Sequence, residues 1–181
     1  MKKRWVVVLL VVVLFLAGAL GASAQLRLDG NISWPFLLGI ELGDYGGTSS
    51  SAISSYAFLF PDIQLSYQFG GQVLRGGIGL RAFTLIIESA GWPIAYLEAE
   101  LKPIVLRAEI GGGWFFAFGL ANASTTARVV IADVNASWKL AEWFRLGVGG
   151  LAVAPFDATQ NFGYAVYVNG RFTALFGGKG K

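Results

Sequence analysis

Apolar and polar residues alternate along most of this chain, and this period of two constrains the fold more than any other feature. Such alternation is typical of a β-strand with one apolar and one polar face, because successive side chains point to opposite sides of a strand. After residue 24, no apolar run reaches the length of a membrane-spanning helix. We therefore predict eight strands, within the segments 26–34, 62–69, 74–82, 95–102, 106–118, 130–140, 144–152 and 162–176.

The connections between these segments alternate in length, which is a second and independent signal. Tight links are expected at 70–72, 102–103 and 141–143. Longer links are expected at 43–55, 87–93, 120–127 and 155–161. Short turns at one end, longer loops at the other and an even strand count are typical of transmembrane barrels. The predicted fold is an all-β, eight-stranded antiparallel up-and-down transmembrane β-barrel.

Two prolines refine the first hairpin. Pro35 and Pro61 have no N–H to donate to a sheet, so each is expected at a bulge or at the end of regular pairing. Trp34 and Phe60 lie beside these prolines and indicate the membrane–water interface on the outer side. The segment 36–60 is therefore expected to extend the hairpin above the membrane.

The first 24 residues have the pattern of a cleaved signal peptide. Three basic residues precede an apolar run over 5–20, and the segment ends in Ala22-Ser23-Ala24, the small-x-small pattern of a cleavage site. The run is short for a spanning helix and lacks a charged stop, which disfavours an uncleaved anchor. We predict a signal peptide (1–24), a barrel domain (25–176) and a short basic periplasmic tail (177–181).

The charge balance changes once the signal is set aside. The chain has 14 Lys and Arg against 11 Asp and Glu, and three of the basic residues are Lys2, Lys3 and Arg4. The remaining basic and acidic residues are equal in number, so nucleic-acid binding loses its support. The hydrophobic fraction of 55% is high for a soluble domain. One barrel domain, monomeric and in contact with outer-membrane lipid, is expected.

The apolar faces of the strands have the features of a lipid-facing surface. They carry no charge in any strand centre, where a charge facing lipid would cost about 2–4 kcal/mol. Aromatic residues lie near the strand ends, as in the girdles at both membrane interfaces. These predicted interface aromatics are Trp34, Phe69, Trp114, Phe116, Phe118, Trp138, Phe144, Phe162, Tyr164 and Phe176.

The alternative is a soluble barrel, a periplasmic lipocalin-like protein that binds a small apolar ligand inside and exposes its polar face to water. The polar faces of the predicted strands are rich in Gly, Ser and Asn and poor in Lys and Glu, unlike a solvated surface. The membrane barrel is therefore favoured.

The polar faces would then fill the lumen with charges of both signs, and a barrel of eight strands is only wide enough for its own side chains. We expect a plugged lumen without a large pore, in which Asp62 lies opposite Arg81 and inward glycines make room for Arg and Tyr. The predicted lumen charges are Arg27, Asp29, Asp62, Arg75, Arg81, Glu98, Glu100, Lys102, Arg107, Glu109, Asp133, Lys139, Arg145 and Arg171, with Glu41 as a further acidic residue.

The sequence does not indicate an enzyme. It contains no His and no Cys, which removes Ser-His and Cys-His chemistry and most zinc sites. Glu98 and Glu100 share a strand face and could share a proton, but a salt-bridge cluster with Arg107 is the simpler interpretation. The glycine runs at 76–79 and 111–113 open no helix and are interpreted as strand glycines. No catalytic residue, metal or cofactor is predicted.

The last strand carries the most specific resemblance. Residues 164–176 alternate and end on Phe176, similar to the C-terminal signal that the barrel-assembly machinery reads, although residues 177–181 follow it. In layout the chain resembles the small eight-stranded outer-membrane barrels typified by the OmpA and OmpX transmembrane domains. This resemblance implies the outer membrane of a two-membrane bacterium, assembly by that machinery, and a structural or surface-interaction role. No peptidoglycan-binding domain follows, so wall anchoring is not implied.

Overall fold

The computed structural model describes residues 25–42, 47–52, 59–84, 88–119, 123–155 and 161–177. The predicted signal peptide, residues 178–181 of the predicted tail and the loop residues between these ranges lie outside the described residues. Among the described residues, no helix is long and apolar enough to cross a membrane. The strands are β1 (Gln25–Leu42), β2 (Gly47–Ala52), β3 (Phe60–Gly70), β4 (Leu74–Thr84), β5 (Glu88–Leu101), β6 (Ile104–Gly119), β7 (Ala123–Ala141), β8 (Phe144–Pro155) and β9 (Asn161–Phe176).

These strands close into a barrel with eight positions. From β3 to β9 each strand pairs antiparallel with the next, and β1 pairs with β9 from Leu26 to Leu42. The other edge of β1 pairs with β3 over residues 25–33 and with β2 over residues 37–42. Because β2 and β3 share one edge of β1, they occupy one position of the barrel. The predicted eight-stranded antiparallel barrel is confirmed.

Short turns define one end of the barrel, which we call the inner end. The β3–β4, β5–β6 and β7–β8 connections fall at 71–73, 102–103 and 142–143, as predicted, and β1 starts and β9 finishes at this same end. The opposite end is called the outer end. Three predicted loops are too long there, because β5 already begins at Glu88, β7 begins at Ala123, and β2 (Gly47–Ala52) lies within the link predicted at 43–55. The Gly91-Trp92-Pro93 sequence interrupts the alternation, yet a bulge between Gly91 and Ile94 keeps it within β5.

The first hairpin extends beyond the proline positions. A bulge lies between Pro35 and Leu37 in the β1–β9 ladder, and the β1–β3 ladder ends one pair beyond Pro61. Beyond these points, β1 and β2 continue as a hairpin with pairs at residues 37–42 and 47–52. The bulge and the hairpin extension are confirmed. Projection above the membrane stays a prediction.

The two faces of the barrel wall differ sharply. On β1, Arg27 and Asp29 have no exposed surface, whereas the neighbouring Leu26 is 44% exposed. On β3, Asp62 is buried while Ile63 is 52% exposed. Polar side chains therefore face the lumen and apolar side chains face outward. A lipocalin-like carrier in water requires the reverse arrangement, with a polar outer face.

Candidate functional site

One carboxylate gathers four cations in the inner half of the lumen. Glu98 on β5 lies 3.0 Å from Arg27, 3.0 Å from Arg145, 3.4 Å from Arg75 and 3.6 Å from Arg107, measured between side-chain oxygen and nitrogen atoms. These cations come from β1, β8, β4 and β6, so the ion pairs cross the lumen. Only 1% of Glu98 is exposed. We call this group the Glu98 cluster.

Arg81 on β4 is the centre of a second group, the Arg81 cluster. Its guanidinium lies 2.9 Å from Asp62, 3.0 Å from Glu109 and 2.7 Å from Asp133. The expected contact between Asp62 and Arg81 is present, but the register differs by two residues. Asp62 pairs with Phe83 and Arg81 with Gln64, so the ion pair is diagonal. The glycine-rich turn permits this shift, because it fixes the register only weakly.

Arg107 joins the two clusters. It lies 3.4 Å from Asp29 and 2.9 Å from Glu109, and it donates a hydrogen bond to Gln64 at 2.8 Å. Its guanidinium also lies 3.6 Å from the centre of the Tyr96 ring. Such stacking of a guanidinium on an aromatic face adds attraction that a lysine would supply less well. The ion pairs therefore form a continuous network rather than isolated bridges.

The network is completed by shorter contacts at its sides. Arg27 bridges to Asp29 at 2.8 Å, and Arg171 donates to the Asn31 side-chain oxygen at 2.7 Å. Asn31 in turn donates to Asp62 at 2.7 Å. Arg171 thus reaches the Arg81 cluster through an amide rather than through a carboxylate. An amide of this kind cannot be recognised as a network member from charge patterns.

The inner end holds a partly exposed group of charges. Glu100 lies 2.6 Å from Arg75 and 2.8 Å from Lys139, and Lys139 also lies 2.6 Å from Glu142. Hydrogen bonding to Lys139 holds the pKa of the Glu142 carboxyl below its usual range. The prediction for Lys102 is wrong, since this residue lies in the β5–β6 turn and is exposed. Side chains alternate between inward and outward positions only within a strand, so the alternation does not predict the position of a side chain in a turn. The Glu41 side chain lies outside the described residues.

Glu98 and Glu100 do not form a carboxylate pair that shares a proton. Both contact Arg75, and Glu98 has three further Arg partners while Glu100 also contacts Lys139, so the neighbouring basic groups favour two ionised carboxylates. The glycine runs at 76–79 and 111–113 lie within β4 and β6, as the sequence predicted. The network therefore has the properties of a filled, charge-balanced interior.

Glycines in the wall accommodate the largest lumen side chains. A Cβ atom at Gly77 would collide with the Tyr96 ring, and one at Gly149 would collide with Tyr167. Both glycines are the register partners of these tyrosines. Tyr167 uses the room to donate a hydrogen bond of 2.5 Å to Asp133. The expectation that inward glycines make room for Tyr is confirmed.

The outer half of the lumen is apolar, which the sequence analysis did not predict. Trp92, Ile94 and Ile131 belong to a buried apolar cluster there, and Tyr96 connects this cluster to the charge network through its contact with Arg107. Above the Arg81 cluster the walls leave a space of about 270 Å³, which we call the outer-lumen cavity. It is lined by Ser33, Pro35, Leu38, Phe60, Asp62, Arg81, Phe83, Trp92, Ile131, Leu151, Val153, Ala165 and Tyr167. The single available signal was a loss of alternation, since 151–155 is apolar on both faces.

Nine of the ten predicted interface aromatics lie towards an end of their strand. Phe69, Trp138, Phe144 and Phe176 are near the inner end, and Trp114, Phe116, Phe118, Phe162 and Tyr164 are near the outer end. The predicted strand-end position of Trp34 is wrong, because β1 continues to Leu42 and Trp34 lies at its middle. Trp114, Phe116 and Phe118 form a row of rings on one strand, with centroids 5.1 and 6.0 Å apart. Trp143, which the sequence analysis omitted, stacks on Phe172 at 5.9 Å and is 59% exposed.

No protein-family model and no curated protein matches this sequence. Solved structures do match. Neisserial surface protein A is 10% identical, with a TM-score of 0.47 and coverage of 83% of this chain and 98% of that one. The N-terminal β-barrel domain of Pseudomonas aeruginosa OprF is 8% identical, with a TM-score of 0.40 and coverage of 81% and 97%. Ail of Yersinia pestis, solved with the heparin analogue sucrose octasulfate, is 10% identical, with a TM-score of 0.37 and coverage of 84% and 99%.

These similarities concern the fold alone. Because the sequence identities are 10% or less, they support no conclusion about what this chain binds or does. The strand pairing of this chain establishes the barrel independently. The chain is thus a closed, eight-stranded antiparallel β-barrel.

Proposed function

We propose that this chain is an integral outer-membrane barrel with a structural or surface-interaction role and a lumen sealed by ion pairs. One observation carries the proposal, namely that the described strands bury most of their charged side chains in the lumen and expose many large apolar side chains on the outside. Water would disfavour such an exterior, whereas hydrocarbon favours it. In the closed barrel both edges of β1 and of β3 to β9 are paired, as the bilayer interior requires, whereas β2 pairs only with β1 among the described residues.

The interior supports a sealed barrel rather than a channel. The Glu98 and Arg81 clusters join side chains from opposite sides of the wall. Eight strands enclose little more than their own side chains, so these ion pairs leave no water-filled passage of porin size. Solute transport is therefore not part of the proposed role.

The aromatic residues support a position in the membrane. Rings near the inner and outer ends of the strands would lie at the two headgroup layers and act as girdles. Between them, outward side chains such as Ile63, Leu106 and Val134 are 52%, 44% and 60% exposed. This band would contact lipid tails directly.

The proposal includes a route to the membrane. Residues 1–24 would direct export and be removed before Gln25, and 177–181 would remain as a periplasmic tail. The barrel-assembly machinery would read the end of β9, and the folded protein would be a monomer in outer-membrane lipid. No cofactor and no nucleic-acid partner belongs to this role.

Cell fractionation combined with electrophoresis tests the proposal. We expect the protein in the outer-membrane fraction, with Gln25 at its N-terminus, and a different migration of unboiled and boiled samples, because a folded barrel resists detergent. Recovery in the soluble periplasmic pool, with no effect of boiling, would contradict it.

A further inference from the structure

The outer-lumen cavity is the feature that the proposed role leaves unused. Its walls are mainly apolar, including Phe83, Trp92, Ile131 and Leu151, and its volume is about 270 Å³. An apolar cavity of about 150 Å³ is large enough for benzene. The outer-lumen cavity could therefore hold a molecule of about the size of naphthalene with a small substituent.

Two groups in the cavity wall, the Trp92 indole N–H and the Arg81 Nε–H, have no hydrogen-bond partner among the described residues. The indole N–H of Trp92 makes no hydrogen bond to any part of the chain that the structure describes, although only 9% of this residue is exposed. An unsatisfied buried donor costs free energy, and such groups are rare in folded proteins. Trp92 therefore offers a neutral hydrogen-bond donor in the wall of a mainly apolar chamber.

The charges at the floor of the cavity are already matched. Arg81 contacts three carboxylates, and each of these has a further donor: Asn31 for Asp62, Arg107 for Glu109 and Tyr167 for Asp133. A charged ligand would have to displace one of these contacts to find a counter-ion. The floor thus disfavours charged ligands, whereas a neutral ligand leaves the network intact.

From these three observations we propose that the outer-lumen cavity binds a small neutral apolar molecule that carries one hydrogen-bond acceptor, with the acceptor on the Trp92 indole N–H. The floor of the site is the Arg81 cluster, which stops the ligand from passing further into the lumen. The proposed structural role requires no ligand, so this inference goes beyond it and can fail without it.

A pair of probes with one shape separates recognition from simple partitioning. 2-Acetylnaphthalene carries a carbonyl acceptor, and 2-isopropenylnaphthalene replaces that oxygen with a CH2 group. Both are titrated into the full protein folded in detergent micelles, and the indole N–H resonances are followed by NMR. We expect saturable binding of the acetyl probe with a shift of the Trp92 resonance, and binding about two- to tenfold weaker for the isopropenyl probe.

Three variants complete the design. Trp92→Phe, which also assigns the Trp92 resonance, should weaken the acetyl probe to the level of the isopropenyl probe. Leu151→Trp should fill the cavity and abolish saturable binding of both probes, and Ile131→Phe serves the same purpose if the first variant does not fold. Val134→Trp adds the same side chain on the outward face, where Val134 is 60% exposed, and should leave binding unchanged.

Several results would overturn the proposal. Absence of saturable binding would remove the site, and equal affinities of the two probes would remove the role of Trp92. Undiminished binding in a folded cavity-filling variant would place the probes in the micelle or on the outer wall.

Discussion

The inner half of the lumen is filled by interlocking charges, whereas the outer half is lined by apolar side chains and retains a cavity of about 270 Å³. In the inner half, each side chain depends on specific partners, as Glu98 does on four cations. In the outer half, the contacts between apolar side chains are non-directional, and the walls leave room for the cavity. One barrel can therefore use directional contacts to seal one end and apolar packing to leave space at the other.

The largest effect is expected in the Arg81 cluster, where the ion-pair network forms the floor of the outer-lumen cavity. Arg81→Met should lower the free energy of unfolding by about 3–5 kcal/mol, because three buried carboxylates lose a counter-ion. Adding Asp62→Leu should restore only part of this loss, since Glu109 and Asp133 stay without Arg81. Urea unfolding from lipid vesicles, followed by tryptophan fluorescence, measures both. The outward change Leu80→Met is the control, and a loss as small as this control shows would contradict the network.

The next effect lies at the boundary between the two halves. Tyr167→Phe removes the hydrogen bond to Asp133 and should cost about 1.5–3 kcal/mol, because the acceptor is a buried carboxylate. Tyr67→Phe is a matched control on the outward face, where Tyr67 is 54% exposed. We expect the control to change the unfolding free energy by less than about 0.5 kcal/mol. Equal losses for the two variants would contradict a directional contact at this level.

A smaller effect is expected in the apolar half. Ile131→Val should cost about 0.5–1.5 kcal/mol in the same unfolding measurement, as for a buried methylene. Ile131→Phe should be tolerated with a similar or smaller cost, because the added atoms enter the outer-lumen cavity. If Ile131→Phe were as damaging as Arg81→Met, the outer half would be as tightly packed as the inner half.

The smallest effect is expected at the exposed inner end. Glu142→Gln should change stability by less than about 0.5 kcal/mol, because the pair with Lys139 is open to solvent. Since the pKa of Glu142 is lowered on folding, its small contribution is present near neutral pH and is lost as the pH falls through the folded-state value. A titration of unfolding free energy from pH 7 downward, compared between the wild type and Glu142→Gln, measures this. A difference that grows at acidic pH would contradict the sign.

The contrast between the halves also explains what the sequence could predict. In the inner half, strict alternation of polar and apolar residues identifies the inward side chains. It also predicts the contact between Asp62 and Arg81, although the predicted register of the two strands is wrong by two residues. In the outer half, both wall faces are apolar and bulges interrupt the ladders, so β5 was predicted to begin too late. Trp92 was therefore placed in a loop, and the outer-lumen cavity was missed. Asn31, whose amide connects Arg171 to Asp62, could not be predicted from the pattern of charges, because the role of an amide depends on which side chains surround it in the fold.

Conductance of the purified, folded protein in a planar lipid bilayer tests the sealed lumen most directly. The ion pairs of the Glu98 and Arg81 clusters cross the lumen, so we expect no steady conductance across the bilayer, with at most rare, small openings. A porin of sixteen strands in the same membrane provides the positive control. Steady steps of porin size from this protein would contradict the ion-paired seal.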